Sequence, residues 1–583
     1  MSPARKTPPD GPLSAKPEAT VLIGPAPALQ RITRFTALGP YPLRRRDTTR
    51  GHAVYLDTPQ LALAHHGVAL CLRRQARVWD AIATWADRTT ATGREPAELT
   101  VPLAGTPHMP FVLPDGPLRV HLGALAAGRP LAPILIIDRH RRVWNVLPPG
   151  TPEDAPPIAE LALSRVHLRA TPGTDGGPAD AISLELEIER RSRSWRDVAR
   201  LVQLLEQNLT LTPPTDSAFA RGLALFHGPV SIIGSEPVLP VDTVETATRK
   251  IIGLHLRRLC QHDPGVRLGR DPEALHNLRV AVRRLRAAVR AFGAGIPSRL
   301  RTSLGKELQW LGQLTGGVRD LDVQLARLHH HSAMLPASHR AGLTHLREYM
   351  ETERAQRRTT LLAGMNSRRY FRLLTRLEDF ALGHSPQPAR NAAAREPIAS
   401  AARREIKRAF RRLRKRGDTI EGAPSSEDLH TLRIRAKRVR YLLEFLQAVT
   451  GRQGRRWVRR LTRLQDLLGA YHDAVVAADF VRQYAEGPGA ELGAAGMLTL
   501  GSLVSSALHA AEERRDAFQR TWRRFTRKRA LGDFRAVLYH LRGLEPDLSR
   551  PLSMHGATPI VEAVGDVSLP HPGTEPPPSG EST

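Results

Sequence analysis

Glu273-Ala274-Leu275-His276-Asn277-Leu278-Arg279-Val280-Ala281-Val282-Arg283-Arg284-Leu285-Arg286 recurs 154 residues later as Glu427-Asp428-Leu429-His430-Thr431-Leu432-Arg433-Ile434-Arg435-Ala436-Lys437-Arg438-Val439-Arg440. A second echo follows each copy. Leu314-Thr315-Gly316-Gly317-Val318-Arg319-Asp320 resembles Leu467-Leu468-Gly469-Ala470-Tyr471-His472-Asp473, offset by 153 at the aspartates. Two matches in the same order imply two copies of one helical unit, related by an approximate two-fold.

On a helix turning about 100° per residue, His276, Arg279, Arg283, Arg286 and Arg290 share an arc of about 80° that runs ~21 Å along the axis. Leu275, Leu278, Val282, Leu285, Val289 and Phe292 fill the neighbouring arc of about 100°. His430, Arg433, Lys437 and Arg440 repeat the basic stripe, and Leu429, Leu432, Ala436, Val439, Leu443 and Leu446 the apolar one. The cations therefore lie beside the face that should be buried, not opposite it as on an ordinary solvated helix. Like charges on one narrow stripe repel and weaken a helix. A long anion laid along the stripe removes that repulsion, and release of its counterions adds entropy. A histidine at the helix start can donate to a phosphate oxygen near free backbone N–H groups. The bland alternative pairs these arginines with Asp320, Asp322 or Asp473, but the local acids are too few for the whole set.

Working outward, the chain has 583 residues, 41% apolar and 25% charged, with a net charge of +29. Residues 1–240 carry a net of only +5, whereas 241–550 carry +28 and 551–583 hold four acids and no Lys or Arg. The positive charge thus belongs to the helical half. Its cations are nearly all arginine, which suits forked phosphate contacts, although a GC-rich genome would give the same bias. Two cysteines, Cys71 and Cys260, rule out a disulfide framework or a multi-cysteine metal site. No uninterrupted run of 18 apolar residues suggests a bilayer span, and the start of the chain carries no signal-peptide pattern. The expectation is a cytoplasmic protein that does not enter a membrane.

Residues 1–17 read as a disordered tail and 18–228 as short strands with turns, among them 53–56, 133–137 and 182–189, then a helix over 195–208. The last strand alternates apolar residues with Glu185, Glu187 and Glu189, a row of carboxylates on one face. The Pro- and Gly-containing stretch 229–243 reads as a linker, 244–545 as helical with breaks near 293–297, 384–390 and 421–426, and 546–583 as a disordered acidic, Pro-rich tail.

The H-x-x-R-[VI]-x-x-[RK]-R-[LV]-R helix, present twice, with the LG-x-x-RD and LG-x-x-HD turns, resembles the CHAD family (conserved histidine α-helical domain) over residues 244–545. The resemblance implies two pseudo-symmetric four-helix bundles around a basic groove that binds inorganic polyphosphate, with no cofactor required. Carried over, the contacts are His276, Arg279, Arg283, Arg286, Arg290, Arg319, His430, Arg433, Lys437 and Arg440. Location on polyphosphate granules, in a bacterial protein, is the corresponding expectation.

The first half resembles a CYTH domain, the triphosphate-tunnel fold, through Tyr55-Leu56-Asp57-Thr58, the segment Leu70 to Arg73, the Glu185–Glu187–Glu189 row and the Ser217 to Gly222 turn. That family implies an antiparallel β-barrel enclosing a tunnel, so the expected fold class is α+β. Here the copy departs from the pattern: Glu18 to Leu22 keeps one acid and loses a lysine, Leu70-Cys71-Leu72-Arg73 lacks one arginine, and Ala218 follows Ser217. Arg73, Arg94, Arg139 and Arg141 remain as candidates for an anion, and Glu160, Glu185 and Glu187 for Mg²⁺ or Mn²⁺. Triphosphate chemistry needs several converging cations and a metal held from more than one strand. The expectation is a degenerate barrel beside a polyphosphate-binding helical domain. The competing readings are a metal-dependent triphosphatase or polyphosphatase fed by the helical half, and a general nucleic-acid binder using runs such as Arg411 to Arg416. His329-His330-His331 reads as a solvated helix end, and Trp310, Trp457 and Trp522 as core.

Overall fold

Alternating apolar residues give the first half its sheet. The computed structural model describes residues 19–75, 78–85, 89–90, 93–94, 97–152, 154–171, 180–191, 195–209, 211–212, 216–334, 343–384, 391–420 and 422–545; both expected tails lie outside these. The strands are β1 Ala19–Ile23, β2 Ala37–Leu38, β3 Tyr41–Arg45, β4 Thr49–Asp57, β5 Val68–Gln75, β6 Val78–Trp85, β7 Thr89–Thr90, β8 Gly93–Arg94, β9 Ala97–Leu103, β10 Ala132–Val146, β11 Ala159–Ala170 and β12 Asp180–Arg190. The main sheet is antiparallel, in the order β1-β12-β11-β10-β4-β5-β6-β9, with β3 joining β10 and β2. Among the described residues β1 and β9 do not pair, so the sheet is open, and the expected closed barrel is corrected. Five-residue β1 instead spends the end of its free edge on Thr212, which exchanges two backbone hydrogen bonds with Ile23 at 2.8 and 2.9 Å.

Five helices attend the sheet: α1 Ala26–Arg31, α2 Ala62–His65, α3 Pro117–Ala126, α4 Trp195–Leu209 and α5 Ala218–His227. Leu186 and Ile188 on one face of β12 bury against Leu29 of α1 and Val198, Leu201 and Leu205 of α4. The opposite face carries Glu185, Glu187 and Glu189, and α5 packs on that side of the sheet through Leu223 and Phe226 against Leu135 and Val166.

The helical half begins with α6 Val244–Leu268, α7 Pro272–Ala291, α8 Ser298–Met334, α9 Thr344–Met365 and α10 Arg368–Leu382. After the short α11 Ala392–Arg395, the second copy supplies α12 Ile398–Asp418, α13 Ser426–Phe445, α14 Gln447–Glu486, α15 Ala494–Phe525 and α16 Lys528–Gly543. Among the described residues each copy thus has four long helices plus a shorter fifth, one more than the implied bundles. Gly451 (φ 61°) interrupts α14 at the position equivalent to the start of α8, so the two copies agree even there. Caps fix both stripe helices. Asp271 caps α7 with Pro272 in the first turn, and Ser425 with Asp428 forms a capping box on α13. Every residue of the two apolar stripes is buried, each large side chain contributing about 2 kcal/mol. Trp457 and Trp522 are core, whereas Trp310 is half-buried beneath the Arg369 guanidinium, 4.3 Å from its ring centre.

Sheet and helices up to Glu545 form one compact unit. Leu118 and Leu122 of α3 share a continuous core with Ile251, Ile252 and Leu256 of α6. Arg129 donates to Glu378 of α10 at 2.6 Å, with His66 at 3.9 Å from the same carboxylate. The connecting stretch is packed as well: Gly234 takes a positive φ, and a Cβ there would come 2.1 Å from the backbone nitrogen of Leu254. Helix α15 holds an 18-residue window of mean hydropathy 1.3, long and apolar enough to cross a membrane by length and composition. Gly, Ser and Thr interrupt the window, so it contains no unbroken apolar run of that length. It packs through Leu500, Phe518 and Trp522 into the helical half.

Candidate polyanion-binding trough

Burial of the two apolar stripes fixes where the neighbouring cations go, because a helix cannot rotate one face without the other. Helices α7 and α13 pack on each other, and the basic stripes come within electrostatic reach across the two copies. Arg283 of the first copy and Arg440 of the second both lie near enough to Lys437 to act on it. Burial, then Arg433, Arg283 and Arg440, push the Lys437 ammonium down to about 8, with only Asp473 opposing. Arg433 is held below the usual arginine range by burial, with Arg283 and Arg279 adding to it against Asp473, the largest charge acting there, and Tyr441. Both groups are partly desolvated cations with further cations near them, and Asp473 acts on both. Arg283 is exposed, and among the described residues no carboxylate pairs with Arg283, Arg286, Arg433 or Lys437.

Other members are partly neutralised. Arg279 donates to Asp320 at 2.7 Å, so the bland alternative holds for that arginine. Asp322 is engaged by Arg354, and Asp473, which acts on Lys437 and Arg433 from a distance, pairs at 3.5 Å with Arg327. Arg440 lies 3.3 Å from Glu444, which also takes Arg284 of the first copy at 3.0 Å. Arg319 stands 4.0 Å from Glu273 and helps burial hold His276 below the ordinary histidine range. His430 is exposed, its ring centre 5.4 Å from that of His472, a neighbour of the basic stripe that stands in the second motif but is not singled out by its spacing. Burial and then Arg433 push His472 down.

Glu444 marks where the repeat breaks its symmetry. The equivalent position in the first copy is Arg290, which is exposed and, after burial, lowers the Arg286 guanidinium. The spacing of Arg440 and Glu444, four residues apart on one helix, was the available signal.

The sheet half treats its charges in the opposite way. Arg141, Ser164 and Glu185 stand in register across β10, β11 and β12. Glu187 takes Arg139 and Arg141, both at 2.8 Å; Glu185 takes Arg221 of α5 and lies 3.7 Å from Arg139. Glu160 is bound by Arg46 at 3.2 Å and Arg191 at 2.9 Å. The candidate metal ligands Glu160, Glu185 and Glu187, and the candidate anion ligands Arg139 and Arg141, therefore neutralise neighbours or each other. Among the described residues no group of three or more His, Cys, Asp or Glu is placed to hold a metal. A divalent cation does not fit this donor set. Arg73 sits against the Cys71 thiol, and the Arg94 side chain lies outside the described residues. The reading of His329 to His331 as a solvated end needs correction at one position: His329 and His330 are exposed, but His331 is half-buried, with Nε2 buried and unpartnered.

The CHAD domain family model matches residues 250–482, which span both basic stripes. An uncharacterised protein of Mycobacterium tuberculosis is 27% identical over 446 residues, covering 74% of this chain and 82% of its own. The CHAD domain of the plant Ricinus communis is 27% identical over 49% of this chain and 94% of its own, with a TM-score of 0.41. An adenylate cyclase structure from Bacillus halodurans is 16% identical over 35% of this chain and 96% of its own, with a TM-score of 0.24.

Proposed function

We propose that this chain, whose helical half carries a CHAD domain, binds inorganic polyphosphate in the trough between α7 and α13, with the sheet half as a scaffold. The observation that carries this reading is the cluster of Arg283, Arg433 and Lys437, three cations from two copies that form no ion pair among the described residues and have Asp473 as the one carboxylate acting on Arg433 and Lys437. A linear polyanion offers one negative charge per repeat and enough length to meet both stripes, and each contact releases counterions. A compact anion would satisfy one or two of these cations and leave the rest in mutual repulsion. Binding needs no cofactor. Attachment to polyphosphate granules in the cytoplasm follows from the same reading.

Hydrolysis in the sheet half has less support, because the acids it would need for a metal are held by arginines at 2.8–3.2 Å. Nucleic-acid binding through Arg411 to Arg416 also has less support, since Arg414 and Arg416 are paired with Asp418 and Asp428. The test is retention of long-chain polyphosphate by the full chain and by the Arg283→Glu, Lys437→Glu variant. Loss of retention with unchanged helical circular dichroism is the expected result, and polyphosphate should displace duplex DNA while DNA fails in reverse. Unchanged retention would refute the trough. Hydrolysis of tripolyphosphate with Mg²⁺ or Mn²⁺, abolished by Glu185→Gln, would establish the enzymatic reading instead.

A further inference from the structure

The face of the sheet that carries Glu185 and Glu187 closes its charge, but the opposite face does not. Strand alternation sends Arg139, Arg141, Ser164 and Glu185 to the first side, and therefore His140 and Arg142 of β10 and Arg165 of β11 to the second. His140 stands directly across from Arg165 on β11 and from Arg50 on β4. Basic groups set opposite one another on neighbouring strands repel when charged and weaken a sheet.

Helix α1 covers part of this face, where Leu29 and the following Ile32 bury against Leu163 and Leu186. That docking brings Arg31, and Arg34 of the 3₁₀ turn Ile32–Arg34, beside the strand cations. A hollow of about 960 Å³ results, lined by Arg31, Arg34, His140, Arg142 and Arg165, with Leu163 and Leu184 completing its wall. The four arginines are exposed, so their guanidinium groups are free to meet a ligand. Among the described residues none of the five forms an ion pair, and no carboxylate lines the hollow. Two acids further along the same face are taken by others: Asp138 by His52 at 2.6 Å and Arg169 at 2.7 Å, Asp180 by His167 at 2.8 Å.

The spread of these cations sets the size of the anion. Alternate residues of a strand are about 7 Å apart and neighbouring strands about 5 Å, so a single orthophosphate reaches only part of the set. A short run of linked phosphates reaches all of it and offers each arginine fork a pair of oxygens. No Phe, Tyr or Trp lines the hollow, so a nucleic-acid base finds no platform to stack on. A hydrocarbon would bury the guanidinium groups without partners.

We propose that this hollow is a second site for linked phosphates, on the side of the sheet away from Glu185 and Glu187, holding a run about the length of tripolyphosphate. It shares no residue with the trough, so it stands or falls independently of polyphosphate binding there. Its exposed arginines are more screened by salt than the half-buried Arg433 and Lys437. It is therefore the weaker site and adds little to the retention of long chains.

Isothermal titration of the full chain carrying Arg283→Glu and Lys437→Glu isolates the hollow. Tripolyphosphate should still bind, about tenfold or more tightly than orthophosphate, and adding Arg142→Gln with Arg165→Gln should weaken it about tenfold or more. In the otherwise unchanged chain, Arg142→Gln with Arg165→Gln should leave long-chain polyphosphate retention in place, so loss of one site is distinguishable from loss of the other. Without ligand, that chain should unfold at an equal or higher temperature, because cross-strand repulsion is removed; this separates lost binding from lost folding. No tripolyphosphate binding to the trough variant, binding that survives Arg142→Gln with Arg165→Gln, or equal binding of orthophosphate would overturn the proposal. Duplex DNA that matches tripolyphosphate at equal phosphate concentration, and is lost with the same two substitutions, would overturn the choice of ligand.

Discussion

Arg139 and Arg141 in the sheet each meet Glu187 at 2.8 Å, while Arg283, Arg433 and Lys437 in the helical half lie within electrostatic reach of one another and form no ion pair with an acid among the described residues, Asp473 acting on the last two only at a distance. The two regions use the same residue type to opposite ends. In the sheet, strand register brings a row of glutamates across from a row of arginines, and the charge closes on itself. In the helical half, a repeat places two like-charged stripes side by side, and the charge stays open. An arginine count alone therefore says little about ligand binding; what matters is whether a carboxylate arrives from the neighbouring element.

The strongest way to break this contrast is to reverse the open charges. Arg283→Glu with Lys437→Glu should weaken polyphosphate binding by about a hundredfold or more and flatten its salt dependence, measured by titration across a salt series. The same variant should unfold at an equal or higher temperature without ligand, because mutual repulsion is removed. In the sheet the outcome should invert. Glu187→Gln should cost about 1–3 kcal/mol in denaturant unfolding, since it strands Arg139 and Arg141, yet change polyphosphate affinity by less than about twofold.

The broken symmetry inside the helical half offers a finer probe. Glu444→Gln frees Arg440 and Arg284, and should raise polyphosphate affinity several-fold while lowering stability. Arg290→Glu copies the second repeat's charge into the first, and should lower affinity by a similar factor. The smallest effect concerns pH. An unfolded lysine loses its proton near 10.5, the folded Lys437 near 8. Between those values the unfolded chain holds more protons, so ligand-free stability should rise with pH across that window. Polyphosphate favours the protonated lysine, so its affinity should fall between pH 7 and 9, and fall less in Lys437→Arg.

Much of this was legible in the residues. The apolar stripe of α7, from Leu275 to Phe292, is buried as its spacing requires, and its counterpart on α13 follows because the repeat copies it. The cationic stripe is fixed by the same rotation. What could not be read depends on elements distant in sequence. Which arginine takes Asp320, one of the acids the sequence offered, is settled only by helix packing, Glu187 needs the β10–β11–β12 register to meet Arg139, and the covering of the β1 edge by Thr212 comes from far along the chain. Glu444 is the exception: its spacing from Arg440 was in plain view, and the regularity of the repeat hid it.

The most direct test of the account follows the Lys437 ammonium itself, since the chain contains only eight lysines. Lysine-labelled protein, assigned through Lys437→Arg, would be titrated by NMR with and without long-chain polyphosphate. The account predicts deprotonation near pH 8 in the free protein and a clear upward shift when polyphosphate is bound. An ordinary lysine value near 10.5 in the free protein, unmoved by polyphosphate, would contradict it.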